Sequence, residues 1–168
     1  MTVVLAPLRV EAWALGGRRV GMGAREAGPG RGPLVVGGLC GAIDPSLRPG
    51  DLVVASEVRG DGAAVACAVE LAERLGARVG PIVSLDHVAG RAERLALRAS
   101  GAVAVDMESY WLARSAGDRP VAVVRAVVDS ADRRLLDPRT LGAGIRGLLA
   151  LHRAAPALRR WDPIESRS

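Results

Sequence analysis

Carboxylates follow three short apolar runs in this chain. Asp106 and Glu108 come after Val103, Ala104 and Val105. Asp129, with Asp132 beyond it, follows the run 121–128, and Glu11 lies just past the run 3–5. In open α/β sheets, ligands bind at the carboxyl ends of strands. Acids delivered by three strand ends can therefore converge on one pocket, where burial raises the pKa of one carboxyl while another stays ionised. That is the equipment for acid and base work. Spacing alone leaves a second reading open, because an acid after a strand is often the cap or first-turn residue of the next helix, and Asp106 and Glu108 fit that too.

The elements that must position these residues are legible as an alternation. Apolar, mostly β-branched runs at 3–5, 34–36, 52–55, 82–84, 102–105 and 121–127 read as strands covered on both faces. Amphipathic stretches at 63–75, 91–100, 108–116 and 141–152 read as helices. Gly76 and the segment 117–120 act as stops. The segments 28–33 (GPGRGP) and 59–62 (RGDG) read as loops. The expected fold class is α/β: a three-layer sandwich around a mixed, largely parallel sheet. A single domain over 1–155 is expected, followed by a C-terminal docking segment and tail over 156–168.

A chain of 168 residues is long enough to bury its own core without disulfide or metal staples. No uncharged apolar run is long enough to span a bilayer, and the apolar N-terminus lacks the charged region and cleavage site of a signal peptide. Two cysteines, Cys40 and Cys67, without a C-x-x-C or a His cluster, suggest neither a disulfide framework nor a metal site, and a cytoplasmic location is expected. The net charge of +5 raises nucleic acid as a partner. However, every basic residue is arginine, scattered among acids, and aromatics make up only 2 % of the chain, which argues against it.

The segments GAVAVDMESYWLA (101–113) and VAVVRAVVDSAD (121–132) resemble the purine nucleoside phosphorylase and nucleosidase superfamily, which includes the methylthioadenosine/S-adenosylhomocysteine nucleosidases. In that superfamily one strand ends in Met-Glu, here Met107 and Glu108, and the next in Arg-x-x-x-Asp, here Arg125 and Asp129. The block GGLCGAIDPSLRPGDLVVA (37–55) is similar to the superfamily's Gly-rich loop, and APLRVEAWAL (6–15) and GMGAREA (21–27) agree more weakly. The flavour resembles the hopanoid-associated branch, thought to act on adenosylhopane. The collinear resemblance covers about residues 3–152.

The resemblance implies cleavage of the N-glycosidic bond of a purine, specifically adenine, nucleoside. It makes Asp129 the general acid at purine N7, protonated or sharing a proton near neutral pH, with Val127 and Val128 as apolar surroundings. Glu108 would hold the ribose hydroxyls, with Asp106 beside it in the substrate site, and Met107 would lie against the sugar. Glu11 is the candidate base that activates water; a plain surface acid is the alternative. Glycines at Gly38 and Gly41, around Cys40, would let a loop's N–H groups approach an anion or the attacking water, and Gly23 could do the same from the first hairpin. His87 lies where the base would bind, with a solvated loop histidine as the alternative. Cys40 reads as a packing residue, Tyr110 and Trp111 as core or interface, and Arg125 as a group that orients a neighbouring acid.

A phosphorylase needs arginines for phosphate. None stands before the glycine segment, where the chain reads Leu34, Val35 and Val36, so hydrolysis is favoured. Arg18, Arg19, Arg25 or a partner subunit's arginine are the remaining candidates for phosphate contacts. No cofactor and no metal are expected, with inorganic phosphate as cosubstrate only in the phosphorolytic case. A homodimer or larger homo-oligomer is the expected assembly. The family's first crossover helix has no room between Gly23 and Leu34, where AREAGPGRGP is too short and too rich in Gly and Pro. The pocket is therefore expected to be open, suited either to a bulky lipid-linked nucleoside or to a relative that binds without turnover.

Overall fold

The computed structural model describes residues 2–28, 32–129 and 140–163. Asp132, residues 29–31 of the expected loop and the last five residues of the expected tail lie outside them. The described residues form eight strands and five helices, in the order β1 (Val3–Ala6), α1 (Arg9–Leu15), β2 (Arg18–Arg19), β3 (Leu34–Ala42), β4 (Leu52–Arg59), β5 (Val65–Ala66), α2 (Leu71–Leu75), β6 (Arg78–Ser84), α3 (Arg91–Ala99), β7 (Ala104–Asp106), α4 (Ser109–Arg114), β8 (Val121–Asp129) and α5 (Thr140–Arg159).

The strands form one mixed sheet in the order β2-β1-β3-β7-β6-β4-β5, and β8 pairs with both β3 and β4. β3 runs parallel to β1 and β8 and antiparallel to β7, while β4 runs parallel to β6 and antiparallel to β8. Consequently β3, β7, β6, β4 and β8 close a ring within the sheet. This matches the expected α/β class with its largely parallel mixed sheet.

Every residue of β8 is buried, as a central strand covered on both faces requires. On one face Leu15, Leu71, Leu151, Ala155 and Leu158, from α1, α2 and α5, pack against Val35, Val54 and Val124. On the other, Tyr110, Leu112 and Ala113 of α4 pack against Val36, Val53, Val58 and Val123. The described residues between β2 and β3 carry no helix. Val20, Ala24 and Ala27 pack on the second face in its place, and the Ala27 N–H donates to Ser115 Oγ at 2.8 Å.

Three local expectations are corrected. The alanine-rich stretch 63–75 is helical only over Leu71–Leu75. Val65 and Ala66 pair instead with Val58 and Glu57 at the sheet edge, because strand pairing satisfies this backbone and overrides helix propensity. The glycine-rich segment 38–41 is the second half of β3 and not a loop. The C-terminal helix passes through Pro156 to Arg159, so the tail begins later than 156, and Trp161 is buried where its carbonyl accepts from Thr2 Oγ1.

Candidate active site

The last residues of β3, β7 and β8 and the segments that follow β1, β6 and β7 meet around a cavity of about 220 Å³. Its lining includes Glu11, Cys40, Gly41, His87, Arg94, Asp106, Met107, Glu108 and Val128, with Leu8, Leu39 and Val105 as apolar wall. The size falls near the small end of ligand cavities, roughly 300–1,000 Å³ for drug-sized molecules.

Behind this lining lies Arg125, on β8 and wholly buried, which does not itself line the cavity. Its Nε donates to Ser109 Oγ at 2.9 Å and stands 2.7 Å from Asp106 Oδ2, and its Nη2 is 3.9 Å from Glu108 Oε2. Neither Nη1 nor Nη2 has a hydrogen-bond partner among the described residues. A buried guanidinium with idle donors is costly unless something occupies them. Burial alone would lower the Arg125 pKa, but Asp106, Glu108 and Glu11 together hold it above its ordinary value. Gly38 makes the room: a Cβ there would stand 2.2 Å from Arg125 Nη1 and 3.2 Å from Glu11 Oε1. Gly38 thus acts by seating these two side chains, and its expected part in an anion-binding loop is corrected.

Glu11 is buried at the start of α1. One carboxylate oxygen accepts from the Leu8 N–H at 2.7 Å, closing the helix's first turn, and the other accepts from the Leu39 N–H at 2.9 Å. The surface-acid alternative is therefore excluded. Glu108 Oε1 accepts from the Gly23 N–H at 3.2 Å, which draws the segment after β2 to the site. Gly23 has φ +68°, a backbone that favours glycine. Burial pushes the Glu108 carboxyl above the usual carboxylate range, against the opposing pull of Arg125 and the Gly23 N–H.

Asp106 lines the cavity and is also an anchor: its oxygens accept from Ser84 Oγ, Ser109 Oγ and the N–H groups of Glu108 and Ser109, and they face Arg125. Ser84 Oγ in turn accepts from the Tyr110 N–H at 2.9 Å. Tyr110 is core, as expected, and Trp111 is half-buried beneath the guanidinium of Arg25 at 4.7 Å.

The surroundings of Asp129 are polar and not the apolar ones expected. Asp129 is 4 % exposed and is absent from the cavity wall. Its Oδ2 accepts from Arg94 Nη2 at 2.7 Å and its Oδ1 from the Ala42 N–H at 2.9 Å. The wall beside it belongs to Gly41 and Arg94, and a Cβ on Gly41 would come within 3.0 Å of Arg94 Nη2 and 3.1 Å of Asp129 Oδ1. Arg94 carries no sequence signal. It is one of three arginines on a polar helix and the only residue of α3 that is buried. A register between α3 and the end of β8 is needed to single it out.

Cys40 lines the cavity, but burial pushes its thiol far up, so it serves as packing. His87 stands exposed at the rim between Asp86 and Glu93, whose hydrogen bonds raise its pKa. Arg18 is spent on the Ala27 carbonyl. Neither Arg18, Arg19 nor Arg25 lines the cavity.

No protein-family model matches the chain, and no curated protein sequence matches it. Solved structures do. The 5′-methylthioadenosine/S-adenosylhomocysteine nucleosidase of Neisseria meningitidis, in complex with methylthio-immucillin-A, superposes with a TM-score of 0.76 at 20 % identity, over 94 % of this chain and 98 % of that one. The Streptococcus pyogenes nucleosidase, in complex with 5-methylthiotubericidin, gives 0.71 at 20 % identity over 96 % and 97 %. The Streptococcus pneumoniae enzyme, in complex with 8-aminoadenine, gives 0.71 at 17 % over 94 % and 96 %. The class is therefore defined at the level of architecture: this chain has the nucleoside phosphorylase/nucleosidase fold. The solved structures that share it here are methylthioadenosine/S-adenosylhomocysteine nucleosidases.

Proposed function

We propose that the protein hydrolyses the N-glycosidic bond of an adenine nucleoside in this cavity. The observation that carries the reading is the meeting of Glu11 and Glu108 in one cavity, in a fold shared with nucleosidases crystallised on adenine-like ligands. Arg125 lies buried behind them, with Nη2 3.9 Å from Glu108 Oε2. A water beside Glu11 would lose its proton to that carboxylate as it attacks the sugar carbon. Glu108 accepts from the ribose hydroxyls, and its charge offsets the positive charge that develops on the sugar. Phosphate fits poorly there, because the guanidinium already faces Asp106, Glu108 and Glu11 and a further anion would add repulsion. Hydrolysis is favoured over phosphorolysis on that ground. Met22 and Val88, exposed at the cavity rim, suit an apolar substituent on the sugar's 5′ carbon, including the hopane skeleton that the sequence resemblance implies.

Asp129 serves the departing base. In the resting arrangement it is paired with Arg94, so delivery of a proton to purine N7 requires the bound base to take Arg94's place against it. The position of Arg94 in the wall favours a second reading, in which the guanidinium neutralises the charge on the leaving base and Asp129 holds it there.

Incubation with adenosine, methylthioadenosine and adenosylhopane, with and without phosphate, tests the proposal. Free adenine formed without phosphate supports hydrolysis, a strict phosphate requirement refutes it, and no adenine from any of them removes the enzymatic reading. Asp129→Asn abolishes release under both readings, whereas Arg94→Gln abolishes it only under the second. Unchanged turnover in Asp129→Asn removes the pair from the chemistry.

A further inference from the structure

The outer face formed by α1 and α5 exposes large apolar side chains amid arginines. On α5, Ile145, Leu149 and Pro156 repeat at helical spacing and stand exposed over about 16 Å of axis. Beside them lies His152, against which Trp13 of α1 stacks at 6.1 Å between ring centroids; Trp13 is itself 78 % exposed, and Val10 is exposed one turn before it. Arg146 and Arg153 flank the stripe on one side. On the other, Arg159 lies across Gly16 at the end of α1, and Arg9 and Arg160 are exposed nearby. The two helices present no exposed acid: α5 contains none, and the single acid of α1, Glu11, is buried.

The Arg153 flank opens into a groove of about 570 Å³ between α5 and the start of β6, lined by Arg74, Arg78 and Arg153 with Ala150, Ala154 and Asp51. Arg78 reaches Asp44 at 3.3 Å, and Asp51 accepts from the Arg48 N–H. Arg74 and Arg153 make no salt bridge among the described residues.

We propose that this face docks the protein on an anionic lipid surface, with the apolar stripe and Trp13 entering the headgroup boundary and the arginine groove taking a lipid phosphate. An indole at the edge of an apolar stripe with cations on both flanks is the composition of an interfacial helix. A second copy of this chain is a poor occupant, since a two-fold contact through α1 and α5 would set arginine against arginine with no exposed acid on either helix to meet it. A nucleic acid would leave the apolar stripe against phosphates. The proposal rests on surface chemistry and is independent of the nucleosidase reading. No described helix is long and apolar enough to cross a membrane, so the contact is peripheral.

The full chain is mixed with phosphatidylcholine vesicles and with vesicles carrying phosphatidylglycerol, then sedimented at low salt and at about 1 M salt, where screening reaches within roughly 3 Å. Binding is expected only to the anionic vesicles and should be released by salt. It should weaken about fivefold for each of Arg74→Gln and Arg153→Gln, which is the loss of about 1 kcal/mol per arginine near such a surface. Binding should also shift the tryptophan emission to the blue. Trp13→Ser removes that shift, because Trp161 is buried and Trp111 half-buried. These side chains are exposed, so their variants should keep the wild-type thermal unfolding curve. The proposal is overturned by any of four results: no binding to anionic vesicles at low salt; binding indifferent to Trp13→Ser and Leu149→Gln; a concentration-dependent dimer that Leu149→Gln dissolves; or capture of an oligonucleotide in place of vesicles.

Discussion

Replacing Arg94 by methionine tests whether the pair at the end of β8 is as desolvated as its geometry indicates. The guanidinium donates to Asp129 Oδ2 at 2.7 Å, to the Ala42 carbonyl at 3.2 Å and to the Ala89 carbonyl at 3.3 Å, and both ion-pair partners are almost wholly buried. Methionine keeps much of the volume but leaves Asp129 a buried carboxylate with one amide donor, so the loss should be about 3–5 kcal/mol. For a chain of this size that corresponds to a fall in Tm of roughly 6–20 °C. Urea unfolding measures it as a lowered midpoint at constant m-value. The double variant Arg94→Met/Asp129→Leu should recover most of the loss, because removing both charges removes the desolvation cost with the attraction. A loss below about 1 kcal/mol in Arg94→Met, the range of solvent-exposed pairs, would refute the assignment of this pair as a buried one.

Three further outcomes follow from named contacts. Gly38→Ala should cost about 1–3 kcal/mol by overpacking against Arg125 and Glu11, and should depress adenine release. Gly76→Ala, at φ +60° with open space around its Cβ position, should cost about 1 kcal/mol and spare the site. Equal effects on release from the two variants would contradict the seating role of Gly38. Glu108 has its folded pKa raised by burial, so its carboxylate form weighs against folding and wild-type stability should fall as pH rises through that pKa. The Tm advantage of Glu108→Gln should therefore grow from below pH 4.5 toward pH 8, and a shrinking advantage would mean that Arg125 outweighs burial. Burial drives the Cys40 thiol far up and the Cys67 thiol to about 12, so an aromatic disulfide reagent at pH 8 should react slowly with the native protein and fully after unfolding. A fast-reacting native thiol would disprove it.

The strand runs were legible because β-branched residues without alternation have few other uses, and the α/β class followed from their spacing. Glu11, Met107, Glu108, Cys40 and Gly41 do meet at one cavity. The failures share a cause. Glycine reads as turn punctuation, yet Gly38 and Gly41 sit inside a strand because side chains from β8, α1 and α3 occupy the space above them. Alanine reads as helix, yet Val65 and Ala66 find strand partners. Asp106 and Asp129 are alike as strand-end acids. Their fates diverge through Ser84 and Arg94, which lie far off in sequence and come near only once the register of β6 with β7 and the packing of α3 are in place.

The charge cluster around Arg125 also bears on how the chain reaches its native state. Its members come from the first helix, the β7–α4 junction and β8, so they are separated by most of the sequence. A half-assembled chain that buried Arg125 without Asp106, Glu108 and Glu11 would strand a cation in an apolar layer, whereas one that left it wet would keep the central strand unformed. Intermediates of both kinds are penalised. The sheet should therefore form in a single all-or-none transition, and amide hydrogens on β3 and β8 should exchange only through global opening.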